Sequence, residues 1–485
     1  MADTNYPLDL LRLDKSSAEP LHLQIRNGLR AMILDGRLKS RTRVPSIRNL
    51  ARTLQVSRNT VVSAIDQLVA EGYLESRPGA GCWVTDTHAL SSVGIRARAG
   101  GSMPSLSTRG DLMSRQALIQ GQPHQAAFHP GVPETESFPF KVWGRILKRK
   151  SASSGDDLFG YHTIAGLYDL RVAIAEYLTV SRGLNCVADQ IVPTTGAQAA
   201  LDFLARMLID EQDAVMMENP GFLGARSAFL AAGARLVELP VDECGWHPVQ
   251  RPPNHPKLIY LTPSCQHPLG MTMPLEQRLE ILEIARRDEA WIIEDDYDGE
   301  YNFFGDPVPA MQGLVEDAPV IYVGTFSKVL FPSLRIGYAV VPPDLAKKAR
   351  AVLSFTGQHP SLVLQATLAE FMSAGHFSRH LNRMRRLYAR RRKAFLEFCD
   401  TYVSEWLKPL DERTGIQIAC KAVVPMDDLG IAAQAADRGL SLVPLSYYGL
   451  AGSAKSGFVM GYAAVPEDKM EEAFKTLRSV LSGEV

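Results

Sequence analysis

Residues 320 to 340 read VIYVGTFSKVLFPSLRIGYAV, an apolar β-branched run that ends in Gly324-Thr325-Phe326-Ser327-Lys328 and resumes at Ile336 after Arg335. A lysine that follows a buried strand can form a Schiff base, and nearby hydroxyls and a guanidinium suit a phosphate. Taken alone, Thr-Phe-Ser-Lys is equally compatible with a surface turn. Its surroundings give it meaning. Working outward, short apolar runs at 214–217, 236–239, 258–261 and 291–294 alternate with helical stretches from Ala126 onward. That alternation predicts an α/β fold with a mostly parallel central sheet covered by helices, whose ligands gather at the carboxyl ends of the strands.

Two further segments lie at such ends. Thr194-Thr195-Gly196-Ala197-Gln198 opens a helix running from Ala199 to Met207, and small residues there leave backbone N–H groups free for a phosphate. Many helices begin with Thr and Gly, so this signal is weak by itself. Ile293-Glu294-Asp295-Asp296-Tyr297-Asp298 crowds acids at the end of an apolar strand. An acid at that place could bind a metal, act as a base, or hold a protonated pyridine nitrogen. A phosphate cradle, a carboxylate and an amine are together the parts of a pyridoxal-phosphate (PLP) site.

The N-terminal stretch has a different character. Between Leu21 and Thr60 stand nine basic residues and one acid, Asp35, although the whole chain carries a net charge of only −1. Such a block suggests contact with a polyanion. Leu21, Ile25, Leu29 and Ile33 recur at helical spacing up to a stop at Asp35-Gly36. A second helix fits Ser46 to Leu54 and a third starts after Ser57 and runs to about Glu71, with only Gln55 and Val56 between them. That is the spacing of a helix-turn-helix. Tyr73 to Arg77, the turn Pro78-Gly79-Ala80-Gly81, and Cys82 to Thr85 complete it with a two-stranded wing. The third helix would enter the major groove with Ser57, Arg58, Asn59 and Thr60 leading, and Ser46, Arg48 and Gly79 complete the expected set of DNA contacts. A small helical domain with merely solvated arginines is the plain alternative; helix spacing, the Ser-Arg-Asn-Thr start and the glycine turn together favour double-stranded DNA.

The head segment, from LHLQIRNGLRAMILDGRL through VSRNTVVSAIDQLVAEGYLESRPGAGCWV, closely resembles the GntR-type winged helix, with Arg41 where that family usually has a glycine and a locally different turn expected there. The segments TTGAQAALDFLARMLID, ENPGFLGARSAFLAAGA, TPSCQHPLGMTMPLEQRLEIL, IIEDDYDGEY and VIYVGTFSKVLFPSLRIGYAVVP resemble the aminotransferase-like domain of MocR-type regulators, a GntR subfamily. This resemblance implies an aminotransferase fold of type I and a regulator that senses an amine, an amino acid or a PLP vitamer through the aldimine on Lys328. It implies that Asp295 pairs with the pyridine nitrogen and Tyr297 donates to the 3-hydroxyl. Gly196, Ala197, Gln198, Thr325 and Arg335 would hold the phosphate, and Phe222 would stack on the ring. Tyr161 would reach the phosphate of a neighbouring subunit, which implies a homodimer whose two heads bind repeated half-sites.

The expected organisation is a head at 1–86, a flexible Ser-, Gly- and Ala-rich connection at 87–125 with one short helix near 112–119, and a PLP domain at 126–485. Leu223-Gly224 and Pro444-Leu445-Ser446-Tyr447-Tyr448 offer no guanidinium where family members that bind an amino-acid carboxylate place one. Arg226 and Arg413 are the nearby candidates, each also readable as a structural arginine. The effector is therefore expected not to be a standard α-amino acid, and efficient aminotransferase turnover is the alternative reading. His267, where aminotransferases usually place an asparagine, either contacts the 3-hydroxyl or fills space. The six cysteines show no CxxC pair and suggest reduced structural thiols without a metal. No apolar run is long enough to span a bilayer, and the start lacks signal-peptide features, so a cytoplasmic location is expected.

Overall fold

A computed structural model of the chain describes residues 11, 13–78, 81–86, 105–116, 126–152, 157–160, 165–248, 255–303, 309–410, 414–450 and 455–483. Contacts divide it into two compact units, Met1–Ser105 and Leu106–Val485. Among the described residues no helix is long and apolar enough to cross a membrane.

The first unit holds three helices, α1 (Leu21–Leu34), α2 (Ile47–Thr53) and α3 (Arg58–Ala70), then a hairpin of β1 (Leu74–Arg77) and β2 (Gly81–Val84). Apolar residues at helical spacing turn Ile25, Leu29, Ile33, Leu50, Val61, Ile65 and Leu68 into one small core that Leu74 and Val84 of the hairpin close. Ser46 Oγ accepts the Asn49 N–H at 3.3 Å and Ser57 Oγ accepts that of Thr60 at 3.1 Å. Each such N-cap stabilises its helix by about 1 kcal/mol and fixes where it starts. Arg41 takes the left-handed backbone conformation, φ +60°, that glycine adopts at no steric cost. The turn is kept: the Arg41 N–H donates to the Val84 carbonyl at 2.9 Å, and the guanidinium pairs with Asp86 at 2.8 Å.

In the second unit an eight-stranded sheet runs in the order β3-β10-β9-β8-β7-β4-β5-β6. Its strands are β3 (Ile191–Thr194), β4 (Ala214–Asn219), β5 (Arg235–Asp242), β6 (Gly245–Trp246), β7 (Leu258–Leu261), β8 (Trp291–Asp296), β9 (Val320–Thr325) and β10 (Gly337–Val340). The strands β5, β4, β7, β8 and β9 are mutually parallel; the apolar runs of β4, β7, β8 and β9 match burial on both faces, whereas β5, next to the short edge strand β6, is only partly buried. Strand β10 is antiparallel to both β9 and β3. The chain between Thr325 and Gly337 is too short to carry a crossover helix, so it folds straight back.

A second, fully antiparallel sheet follows, ordered β11-β12-β14-β13, from β11 (Leu407–Pro409), β12 (Gln417–Ala422), β13 (Val443–Pro444) and β14 (Gly457–Gly461). The sequence reading did not separate it from the larger sheet. A helix at Thr108–Gln116, four residues earlier than the short helix expected in the connection, belongs to the second unit and lies beside the helix Leu223–Ala231.

Candidate functional site

Residues that follow the carboxyl ends of β3, β4, β7, β8 and β9 converge in the second unit, as the parallel strands require. Lys328 follows β9. Its half-buried Nζ donates to the Gly131 carbonyl at 2.6 Å, and a Cβ added to Gly131 would stand on that nitrogen. Burial lowers the lysine's pKa, against the opposing charge of Asp298. A desolvated amine loses its proton more readily and becomes the better nucleophile.

The acids of β8 part company because successive side chains point to opposite faces. Asp296 takes the Arg182 guanidinium at 2.6 Å and the Tyr322 hydroxyl at 2.5 Å, and Glu294 accepts the Met311 N–H at 3.1 Å beside Arg278. Asp296 is spent on structure; Glu294 keeps Oε2 without a partner but points to the same face as Asp296, away from Asp295. Asp295, 2% exposed, receives the Tyr260 hydroxyl on Oδ2 at 2.8 Å, while Oδ1 has no partner. Burial pushes this carboxyl up to about 7, with the Tyr260 bond opposing and Asp296 adding to the rise. An unmet buried carboxylate oxygen fits a protonated ring nitrogen. No group of metal-ligating residues occurs among the described residues.

Gly196 caps the helix Ala197–Leu208 with φ +106°, and its Cα faces the Arg335 guanidinium carbon, which lies 3.9 Å from where a Cβ would stand. Arg335 has no hydrogen bond or ion pair among the described residues. A helix N-terminus with an unspent guanidinium beside it is an arrangement that suits an anion. Ala197 contributes backbone there. The Gln198 side chain is turned away and donates to the Gly224 carbonyl at 2.9 Å, so only its backbone is available. Thr325 is buried, and its Oγ1 accepts the Ser327 N–H at 3.2 Å.

Around these stand rings. His267 meets Phe222 at 5.2 Å, Tyr297 at 5.4 Å and Tyr448 at 5.2 Å, all edge to face. Burial, then the charge of Lys328, pushes the imidazole down to about 3, so it is neutral, and its Nδ1 has no partner. The Tyr297 hydroxyl lies 3.4 Å from Cys265 Sγ. Arg226 donates from one terminal nitrogen to the Tyr448 carbonyl at 2.7 Å, while its Nε is buried without a partner. Tyr161 and Arg413 lie outside the described residues.

Sequence reading missed Tyr260, Gly131 and Gln417, which sit on other strands and loops where no local pattern marks them; Asp298 lay within the acid-rich stretch but was given no role.

The head presents its own surface. Ser46, Arg48, Ser57, Arg58 and Asn59 are exposed and Thr60 is half-buried; Gly79 lies outside the described residues. The hydroxyls of Ser57 and Thr60 are 2.7 Å apart and engaged with each other. Arg26, Arg30, Arg37 and Arg41 are held by Glu71, Tyr73, Asp35 and Asp86. Arg48, Arg52 and Arg58, on α2 and at the start of α3, have no partner among the described residues. With Lys39 and Arg43, also exposed and without a side-chain partner among the described residues, these are the cations of the basic block free to meet phosphate or a base edge.

Comparison with known proteins gives two family matches: the gntR family of bacterial regulatory proteins over residues 21–84, and aminotransferase class I and II over residues 130–477. The chain is 48% identical to the probable rhizopine catabolism regulatory protein MocR of Rhizobium meliloti, across 97% of this chain and 95% of that one. It is 30% identical to the pyridoxine biosynthesis transcriptional regulator PdxR of Corynebacterium glutamicum, across 95% and 94%. Among solved structures, the α-aminoadipate aminotransferase LysN of Thermus thermophilus, complexed with N-(5'-phosphopyridoxyl)-L-leucine, matches with a TM-score of 0.70 and 26% identity over 77% of this chain and 97% of that one.

Proposed function

The chain belongs to the MocR-type subfamily of GntR transcriptional regulators, and from that premise we propose that it controls transcription according to an amine sensed at a PLP held by Lys328. One observation carries the reading: on the adjacent strands β8 and β9, Asp295 has a buried oxygen with no partner among the described residues, and Lys328, just past the end of β9, has a desolvated amine. Bound there, PLP supplies an aldehyde that condenses with primary amines. Lys328 is the amine that holds it, and Asp295 keeps the ring nitrogen charged. Tyr297 and His267 line the ring's polar edge, while Phe222 covers a face. The backbone at Gly196 and Ala197, with Thr325 and Arg335, holds the phosphate.

In this reading residues 1–86 are the DNA reader, 126–485 the sensor and dimerisation body, and 87–125 the connection. A homodimer offers two readers to repeated half-sites. An amine moves the DNA equilibrium only if it binds one conformation of the body more tightly than another, and a tenfold preference corresponds to about 1.4 kcal/mol. Support for regulation over turnover comes from the relatives' names.

The test uses the purified full chain. A yellow protein whose visible band shifts with an amine, and whose affinity for its upstream DNA changes with that amine, supports the proposal. A colourless protein that does not take up added PLP defeats the sensor half. Rapid multiple-turnover keto-acid production without any change in DNA affinity would instead favour an aminotransferase.

A further inference from the structure

Tyr260 is fully buried on β7 and pairs in register with Ile293 of β8, so it stands on the same face of the sheet as Asp295, two residues further on. An aromatic side chain is long enough to reach that diagonal neighbour. Its hydroxyl donates to Asp295 Oδ2 at 2.8 Å, and Oδ1 stays unmet. Three other unmet atoms lie in the site: His267 Nδ1, Asp298 Oδ1 and Gln417 Nε2, the last on a side chain whose Oε1 is 3.6 Å from where a Cβ on Gly131 would stand. None of these three side chains is held by a hydrogen bond from another side chain among the described residues; Asp298 has only the Ile416 N–H. Asp295 alone is anchored in that way.

A buried carboxyl left to itself turns about its last torsion and keeps its proton. Tyr260 opposes both tendencies. Its single O–H, given to Oδ2, fixes the plane of the carboxyl and leaves Oδ1 for an incoming donor. The same bond favours the carboxylate, against burial and against Asp296 of β8 and Glu218 of β4, the acids whose charges bear on Asp295. Tyr260 remains a donor throughout, because burial and then the charge of Asp295 push its own ionisation far up. Its ring is fixed in turn by Phe229, edge to face at 5.6 Å.

We propose that Tyr260 is a positioning residue of the cofactor site, which by donating to Asp295 Oδ2 turns Oδ1 toward the ring nitrogen and keeps the proton they share on that nitrogen. The inference rests on the sensor reading above. Tyr260 acts through Asp295 and leaves the ring cationic. Without its bond the buried carboxyl becomes the more basic partner and takes the proton, and the ring is neutral.

Full-length protein loaded with PLP carrying nitrogen-15 in its ring tests this by solid-state NMR. The wild-type ring nitrogen is expected to resonate in the pyridinium range, and in Tyr260→Phe to move toward the range of neutral pyridine. Tyr260→Phe is also expected to weaken PLP binding at least about tenfold, as loss of a hydrogen bond to a charged group implies. In an Asp295→Asn background the same substitution is expected to cost less than about threefold, because the charge it serves is already gone. A purely structural tyrosine would cost the same in both backgrounds. If phenylalanine disturbs the fold, fluorotyrosine in place of Tyr260 keeps the shape, donates more strongly, and is expected to tighten PLP. An unmoved resonance in Tyr260→Phe, a neutral ring in the wild type, equal losses in the two backgrounds, or fluorotyrosine that fails to tighten PLP overturns the proposal. Wild-type protein that takes up no PLP fails the sensor reading, whereas loaded wild type with an unmoved resonance in Tyr260→Phe fails this inference alone.

Discussion

The head and the Lys328 site are opposite solutions to keeping polar groups ready for a partner. In the head the working groups sit within one short segment, from Ser46 to Thr60, and are bathed in solvent. Arg48, Arg52 and Arg58 cost nothing to leave unpaired there, because water satisfies them. In the body the working groups come from Gly131, His267, Asp295, Lys328 and Gln417, distant in sequence, and several are buried without partners. Leaving Asp295 Oδ1, His267 Nδ1 and Gln417 Nε2 unmet costs free energy that a compact core must offset. Strain and unmatched groups therefore mark the sensor, and local charge pattern marks the reader.

The contrast can be broken by experiment. The largest effect is expected from Lys328→Ala, which should abolish the visible band entirely while the isolated DNA-binding activity persists; a retained band would assign the cofactor to another lysine. Next, Asp295→Asn should stabilise the cofactor-free protein by about 4 kcal/mol at pH 8. Its carboxyl, raised by burial to about 7, holds its proton more tightly folded than unfolded, so the stability of the cofactor-free protein falls as pH rises from about 4 to 7. The gain should thus be full above that window and vanish near pH 4, in thermal melts across pH. Glu218, Glu294 and Asp298, also raised to about 7 by burial, keep a residual slope. The same variant should lose affinity for PLP.

In the head, Arg58→Ala should cost about 2 kcal/mol of operator binding, or some 30-fold. If the guanidinium meets a phosphate, the slope of log affinity against log salt also falls by about one; if it reads a base edge, discrimination among operator variants falls instead. Fluorescence anisotropy with two operators at several salt concentrations separates these. The smallest effect belongs to Arg41→Gly. Releasing the left-handed strain at φ +60° should stabilise the head by about 1 kcal/mol, because the Arg41–Asp86 pair it loses is exposed and worth little. A lower melting temperature would mean that the pair matters more than the backbone.

Legibility in the sequence follows the same division. Ser46 and Ser57 announce helix starts because capping is a contact between neighbours in the chain, and both caps are present. Apolar runs announce β4, β7, β8 and β9 because burial on both faces admits little else. The antiparallel direction of β10 and the separate sheet β11-β12-β14-β13 depend on how the chain folds back, which no local run specifies. Asp295, Lys328 and Arg335 stood out by their place at strand ends. Which acid of Glu294-Asp295-Asp296 is left for a ligand did not.

By itself the sequence determined the two-part plan, the helix-turn-helix and the strands that place Lys328, since all of these rest on periodicity, capping and burial within short windows. Only the tertiary structure decided which polar groups are spent and which are left over. Arg182 and Tyr322 consume Asp296, and nothing among the described residues consumes Asp295 Oδ1 or Gln417 Nε2. Satisfaction of a buried polar group is a property of its neighbours in space, and those neighbours are chosen by the fold.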